Sequence, residues 1–410
     1  MTSAALTCGI DWAEAHHDVA LVDEAGKVLT RKRVTADLPG FRELLELIAE
    51  HGGDPESTPV AIETDKNLFV VALAAAGFTV YPINPKALTR CRERHGQAGA
   101  KSDPADATTL AHVLRTDRHV HRPLPAISDH GLAVKALARQ HQEAIWVMHQ
   151  TISRLRAVLL DFYPQAVRAF PKMQQHAATT ILAAATTPAA GQRLTRRRIE
   201  ALLHRCGRRN DPALLEQILS DLKTPALRQP EPVERALGVT VEGLVKIIVA
   251  MRDAVEQLES ELAVAFDKHQ LAPILRSVPG LGPVLAARVL AEIGDDSARF
   301  ASPAGLRAFA GTAPVTRASG RSRYVKARKI RNKRLGDACH WWAFATLTRS
   351  PGAREHYDRR RAAGDHHNAA LRNLANKLLG RLWWCLQNNQ PWDDAAAWAL
   401  PTTSPEPVAA

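Results

Sequence analysis

Two aspartates in the segment KSDPADATTLAHVL, residues 101–114, could either begin a helix or take part in chemistry. Asp103 precedes Pro104 and suits the N-cap position, while Asp106 falls where the acid of a capping box would lie. Capping is the simpler interpretation of these two residues alone, because helix starts far outnumber active sites. The choice therefore depends on which other acids the fold brings beside them.

Two further acids occur in predicted strands. Asp11 lies inside the apolar first strand, CGIDW, and Glu63 ends the fourth strand, VAIET. A buried carboxylate in such a strand is unfavourable unless a cation compensates its charge. If Asp103 and Asp106 join this pair, four carboxylates converge without any Cys or His. That oxygen-only site would suit Mg²⁺ or Mn²⁺ and could support phosphoryl transfer.

The elements that must position these acids form a predicted α/β domain over residues 1–122. Three strands with short connections are followed by helix, strand, helix, strand and helix. This is the order of an RNase H-like fold, whose sites lie at the carboxyl ends of central strands. We expect the first and fourth strands to be neighbours and the helix that starts near Asp103 to pack across them.

The middle of the chain predicts long helices. Apolar residues from Leu244 to Ala265 alternate in steps of four and three, which is the spacing of a coiled coil. We predict an antiparallel coiled-coil hairpin over residues 128–270, with an irregular basic insert at about 165–235. A mainly helical C-terminal domain follows over residues 271–390, and residues 391–410 are predicted to be a disordered tail.

The positive charge is concentrated in the C-terminal domain. The 410-residue chain has a formal net charge of +12, and residues 271–390 hold 21 Lys and Arg against 7 Asp and Glu. A polyanion, most simply nucleic acid, is the expected partner of this region. Its PGLGP sequence predicts a helix-hairpin-helix in which Gly280 and Gly282 expose backbone N–H groups to phosphate. A plain helix turn is the alternative.

A second basic feature surrounds Ser319. Nine Lys and Arg and no acid lie between Arg317 and Arg334, and a bound DNA phosphate would be activated by such groups. Ser319 and Ser322 are both candidate nucleophiles, and the residues alone do not separate them. Another interpretation is a DNA-binding loop whose serine only donates a hydrogen bond. The predicted contacts in this loop are Arg317, Gly320, Arg321, Arg323, Lys326, Arg328, Lys329 and Arg331.

Composition points away from membrane and disulfide-rich classes. No apolar run approaches the length of a membrane span, and the chain opens without a signal-peptide pattern. The five cysteines are scattered without CxxC spacing, which favours reduced thiols and argues against structural zinc. We therefore expect a cytoplasmic protein with reduced thiols.

Three N-terminal motifs carry a family resemblance. GIDWAEAHHDVALVDEAG, AIETDKNLF and AGAKSDPADATTLAHVLRTD resemble the first domain of the Asp-Glu-Asp-Asp (DEDD) insertion-sequence transposases, the insertion-sequence family one-ten. That domain is similar to the RuvC Holliday-junction resolvase. SVPGLGPVLAARVLAEIG and RAFAGTAPVTRASGRSR resemble the family's C-terminal transposase domain. The chain departs from the family at Thr64-Asp65, where members commonly have Thr-Gly.

The resemblance implies roles for particular residues. Asp11, Glu63, Asp103 and Asp106 would form the acidic tetrad that binds Mg²⁺. Ser319, in the motif Ala318-Ser319-Gly320, would be the nucleophile, in preference to Ser322.

The implied function is that of a transposase, or site-specific recombinase, of an insertion sequence. It would cut and rejoin element ends and target DNA by serine transesterification, guided by a bridge RNA and assembled as a dimer or tetramer. One alternative is a RuvC-like nuclease that hydrolyses DNA junctions with metal-bound water. Another is a catalytically silent architectural protein that binds DNA or RNA. A covalent protein–DNA adduct would distinguish the recombinase from the nuclease.

Overall fold

The computed structural model divides into two compact units, with the boundary between Ala126 and Ile127. The N-terminal unit is mixed α/β with a five-stranded sheet, and the C-terminal unit is mostly helical. The predicted combination of an α/β domain with a helical remainder is confirmed. The structure describes residues 6–85, 87–89, 91, 103–208, 211–320 and 322–398.

The N-terminal unit follows the predicted order of elements. Its sheet has the strand order β3-β2-β1-β4-β5. The elements are β1 (Thr7–Trp12), β2 (His16–Val22), β3 (Val28–Thr35), α1 (Leu38–Glu50), β4 (Val60–Ile62), α2 (Leu68–Ala75), β5 (Val80–Pro82) and α3 (Asp103–Asp117).

The sheet is mixed. β1, β2 and β3 pair antiparallel, whereas β1 pairs parallel with β4 and β4 with β5. The predicted neighbourhood of the first and fourth strands is confirmed, since Gly9 lies opposite Ala61 and Ile10 opposite Ile62. The carboxyl ends of β1 and β4 therefore meet at one edge of the sheet.

Helix α3 lies directly on the backbone of β1. A Cβ atom added to Gly9 would overlap the Ala107 carbonyl oxygen and lie 2.5 Å from the Ala111 nitrogen. Near the other end of α3, Arg115 donates a hydrogen bond to the carbonyl of Glu24, in the turn between β2 and β3. The helix thus runs antiparallel to β1, and its N-terminus lies at the carboxyl edge of β1 and β4.

Helices α1 and α2 cover the opposite face of the sheet. Ile10 and Val19 of the strands share a buried cluster with Leu44 of α1 and Leu73 of α2. Each helix starts at a side-chain cap: Asp37 accepts the Gly40 N–H, and Asn67 accepts the Val70 N–H.

Two long helices form the frame of the C-terminal unit: α4 (Asp129–Phe162) and α10 (Glu231–Asp267). Val134, near the start of α4, shares a buried cluster with Leu262, near the end of α10. Leu159, near the end of α4, lies in a second cluster with Val241, near the start of α10. The two helices therefore run antiparallel.

The described residues between these helices are mostly helical, so the prediction of an irregular insert at 165–235 is wrong for them. Of the five short helices described there, four begin at a proline or at a capping side chain such as Thr195 or Asp211, whereas the one that follows Gln175 has neither. They bury apolar faces that the basic residues obscure in the sequence. They are α5 (Pro164–Ala169), α6 (His176–Ala184), α7 (Pro188–Arg193), α8 (Arg196–Arg205) and α9 (Pro212–Lys223).

The last part of the chain adds helices and one hairpin. None of the helices in the described ranges is both long enough and apolar enough to cross a membrane. The elements are α11 (Ala272–Ser277), α12 (Pro283–Ile293), a 3₁₀ turn (Ser297–Arg299), α13 (Pro303–Ala310), β6 (Val315–Ser319), β7 (Ser322–Lys326), α14 (Lys333–Thr346), α15 (Pro351–Ala362), α16 (His367–Gln387) and α17 (Asp394–Trp398).

The prediction that residues 391–410 form a disordered tail is wrong for the first part of this segment. The Trp392 N–H donates to the Ser277 hydroxyl, and the Ser350 hydroxyl donates to Asp394 at the start of α17. These hydrogen bonds and the apolar surface of Trp392 hold the segment against the unit. Residues 399–410 lie outside the described residues.

The close approach at Gly9 yields a stability prediction. Gly9→Ala should destabilise the N-terminal unit by about 3 kcal/mol, because the new methyl group meets helix backbone that cannot rotate away. Hydrogen–deuterium exchange in urea, followed on β1 and β4 peptides, measures this free energy of unfolding.

Gly243→Ala is the matched control for this substitution. Gly243 is exposed on α10, with open space where its Cβ would lie, so alanine should stabilise that helix by about 0.5–1 kcal/mol. If Gly9→Ala changed the free energy of unfolding as little as Gly243→Ala does, the described packing of α3 on β1 would be contradicted.

Candidate active site

Asp11 and Glu63 lie at the carboxyl edge of the parallel strands β1 and β4. They follow the paired residues Ile10 and Ile62, so they occupy equivalent positions on neighbouring strands. Side chains alternate across a strand, which places Asp11 on the same face as Gly9, the face that α3 covers. Both acids are partly buried.

Helix α3 brings the two aspartates of the DPAD sequence to this edge. Asp106 is only 3% exposed and directly precedes Ala107, which contacts β1 at Gly9. Asp103 begins the helix one turn earlier, but its side chain lies outside the described part of the structure. Among the described side chains, no group of three or more His, Cys, Asp or Glu is close enough together to hold a metal ion. The four-acid site remains a prediction.

A fifth acid at the same edge was missed in the sequence. Asp18 lies directly opposite Asp11 in the β1–β2 pair and is 5% exposed. Its carboxylate accepts two hydrogen bonds from Arg33, from Nε at 3.1 Å and Nη2 at 2.8 Å. The pair compensates the charge of Asp18. Its only signal in the sequence is the alternation of HHDVALV, which puts Asp18 on the same face as Asp11 once the register is known.

The donor chemistry of the acidic edge fits a hard divalent cation. The side chains of Asp11, Glu63 and Asp106 offer carboxylate oxygens as ligands. The packing at Gly9 holds α3 against the strands from which the other two acids project. These residues, with Asp103, are the ones that would bind such an ion.

Ser319 lies at the end of β6 in an exposed hairpin rather than in the loop that the basic run predicts. It pairs across the turn with Ser322, and Gly320 has a left-handed φ of 55° that suits a tight two-residue turn. The Ser322 hydroxyl donates a hydrogen bond to the Ser319 carbonyl at 3.0 Å. Arg321 lies outside the described residues. The Ser322 hydroxyl is thus hydrogen-bonded within the turn, and the choice between the two serines remains a prediction.

The residues that follow the hairpin line a basic cavity of about 710 Å³. Arg328, Lys329 and Arg331 line it, and Asn368 and Arg372 of α16 line its other side. A cavity with several cations and an amide matches the oxygens of a phosphate. Arg317, Arg323 and Lys326 are exposed on the hairpin itself. Sequence analysis missed the members contributed by distant helices, which are Trp146, His340, Asn368 and Arg372.

A buried ion pair anchors the basic segment behind the cavity. Glu292 of α12 accepts two hydrogen bonds from Arg139, at 2.8 and 3.0 Å, and one from Asn332 at 2.7 Å. Asn332 also caps α14 by accepting the Leu335 N–H. Burial acts to raise the pKa of Glu292, but the Arg139 and Asn332 contacts outweigh it and lower that pKa below its ordinary value. These hydrogen bonds hold Asn332 in place, and Arg331, which lines the cavity, directly precedes it in the chain.

The predicted helix-hairpin-helix region is a tight turn between α11 and α12. Gly280 has a φ of 79°, and its Cβ would lie 2.5 Å from the Thr346 hydroxyl and 2.7 Å from the Thr346 nitrogen. Packing against α14 accounts for this glycine. Gly282 is the exposed N-cap residue of α12. Phosphate binding by either glycine remains a prediction.

Comparisons with known proteins match two segments of the chain to families of transposases. Residues 8–164 match the DEDD-type IS110 family model, described as a transposase, and residues 272–358 match a model described as the transposase IS116/IS110/IS902 family. The chain is 46% identical, over 404 residues, to a mini-circle protein of Streptomyces coelicolor that is named as a transposase for IS117. That match covers 97% of each chain. The chain belongs to the IS110/IS116 family of insertion-sequence transposases.

Two more distant relatives of the transposase are also encoded by insertion elements. A 43.6 kDa protein of IS110 from Streptomyces coelicolor is 28% identical over 381 residues, which are 91% of this chain and 92% of the relative. A 42 kDa protein of IS900 from Mycobacterium paratuberculosis is 28% identical over 401 residues, 95% and 98% of the two chains. Transposases act on DNA, and the family activity is the cutting and rejoining of DNA.

The anchor at Glu292 predicts a pH-dependent stability of the transposase. Glu292→Gln should lower the free energy of unfolding by about 3–5 kcal/mol at neutral pH, because Arg139 would keep a buried charge without its partner. Wild-type Glu292 has a lowered pKa, so its contribution is present above the ordinary value of 4.5 and is lost as the pH falls through the folded-state pKa. Urea unfolding at a series of pH values should show the difference between the two proteins shrinking below pH 4.5.

Glu242→Gln is the control for this experiment, because Glu242 forms an exposed pair with Lys246 on α10. We expect a change of less than about 0.5 kcal/mol at any of these pH values. A difference between wild type and Glu292→Gln that stayed constant down to acid pH would contradict the role of the ionised carboxylate.

Proposed function

We propose that the transposase cuts and rejoins DNA by transesterification, with Ser319 as the nucleophile. The observation that carries this proposal is the basic hairpin, which exposes Ser319 at its turn and leads directly into the cationic cavity. The Ser319 oxygen would form a bond to phosphorus while the bond to one deoxyribose oxygen breaks. The serine loses its proton and the departing sugar hydroxyl gains one. The phosphoserine link keeps the bond energy needed for rejoining.

The acidic edge would supply the second part of the machinery. Asp11, Glu63, Asp103 and Asp106 are proposed to hold Mg²⁺, with Mn²⁺ as the alternative, and their oxygen donors support this choice. Such an ion, when bound, lowers the pKa of a nearby hydroxyl and offsets charge on the phosphate. The residues of the basic cavity, including Arg328 and Arg372, would orient the phosphate and balance the charge that grows on its oxygens.

The second candidate is a RuvC-like nuclease that hydrolyses DNA junctions. The observation that favours it is the acidic edge, because a metal site on a sheet of this topology can activate water without any serine. The hairpin and cavity would then only bind DNA. The two functions differ in one chemical product, the covalent link between protein and DNA.

The partners proposed for the transposase are its element ends and target DNA, a bridge RNA and further copies of the chain. A dimer or tetramer is supported by apolar side chains exposed along the two long helices, among them Leu132 and Leu160 on α4 and Ile247 and Val264 on α10. The bridge RNA follows from family resemblance and is compatible with the basic surfaces. The proposed place of action is the bacterial cytoplasm, at the nucleoid.

Covalent capture tests the proposed chemistry. Purified transposase, Mg²⁺, guide RNA and end-labelled DNA of the element terminus are combined and separated on a denaturing gel. Wild type should give a protein-linked DNA band, which Ser319→Ala and Asp11→Ala should reduce to background. Ser322→Ala is the matched control across the turn and should keep the band, because its hydroxyl is engaged with a carbonyl.

Two outcomes would contradict the serine mechanism. Cleaved DNA without any adduct, dependent on Asp11 and indifferent to Ser319, would establish the nuclease instead. An adduct lost in Ser322→Ala but kept in Ser319→Ala would move the nucleophile across the turn.

The cavity predicts a change in the salt dependence of DNA binding. Arg372→Gln should weaken binding uniformly across DNA sequences and lower the slope of log K against log salt by about 1, because one phosphate contact is lost. Fluorescence anisotropy at several salt concentrations measures this slope. Arg235→Gln, at an exposed pair with Glu231 on α10, is the control and should leave it unchanged. An unaltered slope in Arg372→Gln would exclude the cavity as a phosphate site.

A further inference from the structure

Another cavity, separate from the basic cavity, lies in the N-terminal unit, and we call it the aromatic slot. It has a volume of about 610 Å³ and is lined chiefly by Trp12, His17, Phe41, Asn67 and Phe69. The rings are arranged edge to face: His17 and Phe69 are 4.4 Å apart between centroids, and Phe41 and Phe69 are 5.3 Å apart. The slot is thus walled mainly by these rings and by aliphatic side chains such as Leu38 and Leu68, and the acids Glu14 and Asp37 also line it.

The slot opens at the same edge of the sheet as the acids. Trp12 directly follows Asp11, so their Cα atoms are about 3.8 Å apart. Trp12 pairs across the β1–β2 ladder with His17, and both lie on the sheet face opposite to α3. Asn67 lies four residues after Glu63, at the N-cap of α2. Both strands that carry acids therefore continue into walls of the slot.

Two buried polar atoms at the slot have no hydrogen-bond partner within the described ranges. His17 is 3% exposed, and its Nδ1 is one of them. Asn67 uses its Oδ1 to accept the Val70 N–H at 2.7 Å, while its Nδ2 is the other. Burial lowers the pKa of His17, so the ring is neutral near pH 7 and offers one donor and one acceptor nitrogen. Such atoms normally find a partner, and a ligand in the slot could supply one.

We propose that the aromatic slot receives one unstacked base of the DNA strand held at the acidic edge. A base has two flat apolar faces for the aromatic walls and an edge of donors and acceptors for Asn67 and His17. Trp12, which is 44% exposed, lies at the open side and can stack on it. An apolar protein side chain could contact the aromatic walls but would leave both polar atoms unpaired.

This inference rests on the proposed function for the presence of a DNA strand at the acids. It adds a recognition step, because extracting one base next to the reacting phosphate fixes the position of the strand along its own axis. The stacking and hydrogen bonding also compensate for the loss of stacking within the DNA.

Photo-crosslinking of the full-length transposase tests the slot. Element-end DNA carries a single 5-iodouracil, moved one nucleotide at a time past the cleavage position, and crosslinked peptides are identified by mass spectrometry. We expect adducts on the Trp12 or Phe41 peptide at one nucleotide position. Trp12→Ala should abolish them and weaken binding by about 5- to 150-fold, the range expected for loss of stacking on one base. Trp12→Phe should restore most of the affinity. Trp384→Ala removes a tryptophan of similar exposure, 42%, from α16 and should change neither readout.

Three results would overturn the proposal. The first is the absence of slot adducts together with equal binding by Trp12→Ala and Trp384→Ala. The second is an adduct formed with 5-iodouridine in the guide RNA but with no position in the DNA. The third is a change in the sedimentation coefficient of nucleic-acid-free Trp12→Ala without any crosslink, which would make the slot a contact between copies of the chain.

A Ser319–DNA adduct formed without slot crosslinks would reject the slot alone, whereas slot crosslinks without any Ser319 adduct would reject only the serine mechanism.

Discussion

The contact between the backbone of α3 and the backbone of β1 at Gly9 is the constraint on which the N-terminal site depends. A helix packed at ordinary side-chain distance would hold its first turn several ångströms further from the strand. With no side chain at Gly9, Ala107 and Ala111 rest on the strand itself. The first turn of α3, with Asp106, is thereby held at the carboxyl edge where Asp11 and Glu63 follow their strands. One missing Cβ thus brings acids more than ninety residues apart to one edge.

The N-terminal site is rich in acids and the C-terminal cavity is rich in cations, and each unit contains an arginine–carboxylate pair near that site. The acidic edge collects carboxylates, and the excess charge of Asp18 is matched by Arg33 from the neighbouring strand. The C-terminal unit collects cations, and its basic segment is held by Asn332 on the buried carboxylate of Glu292. In both units a carboxylate that accepts two hydrogen bonds from an arginine lies beside the residues proposed to bind a ligand.

Several elements were predictable because their signals are local. The strands β1 to β3, the helix α1 and the acids Asp11, Glu63 and Asp106 follow from alternation, capping and the cost of a carboxylate in an apolar strand. The helices between α4 and α10 were not predicted, because dense arginines at exposed positions hide the short apolar faces that they bury. Trp392 and Asp394 were assigned to a disordered tail for a related reason: each stabilising contact is made with residues such as Ser277 and Ser350, far away in the chain.

The sequence by itself determined the chemistry available to this transposase: oxygen ligands for a hard cation, a serine among arginines, and the order of elements of an RNase H-like sheet. Only the tertiary structure decided which groups share a site. It set Asp18 opposite Asp11, engaged the Ser322 hydroxyl within the turn, and added Asn368 and Arg372 to the cavity beside Arg328. It also formed the aromatic slot from β1, β2, α1 and α2. The physical reason is that residue types and the local periodicity of apolar residues are properties of the sequence itself. Strand register and helix packing depend instead on contacts between distant segments.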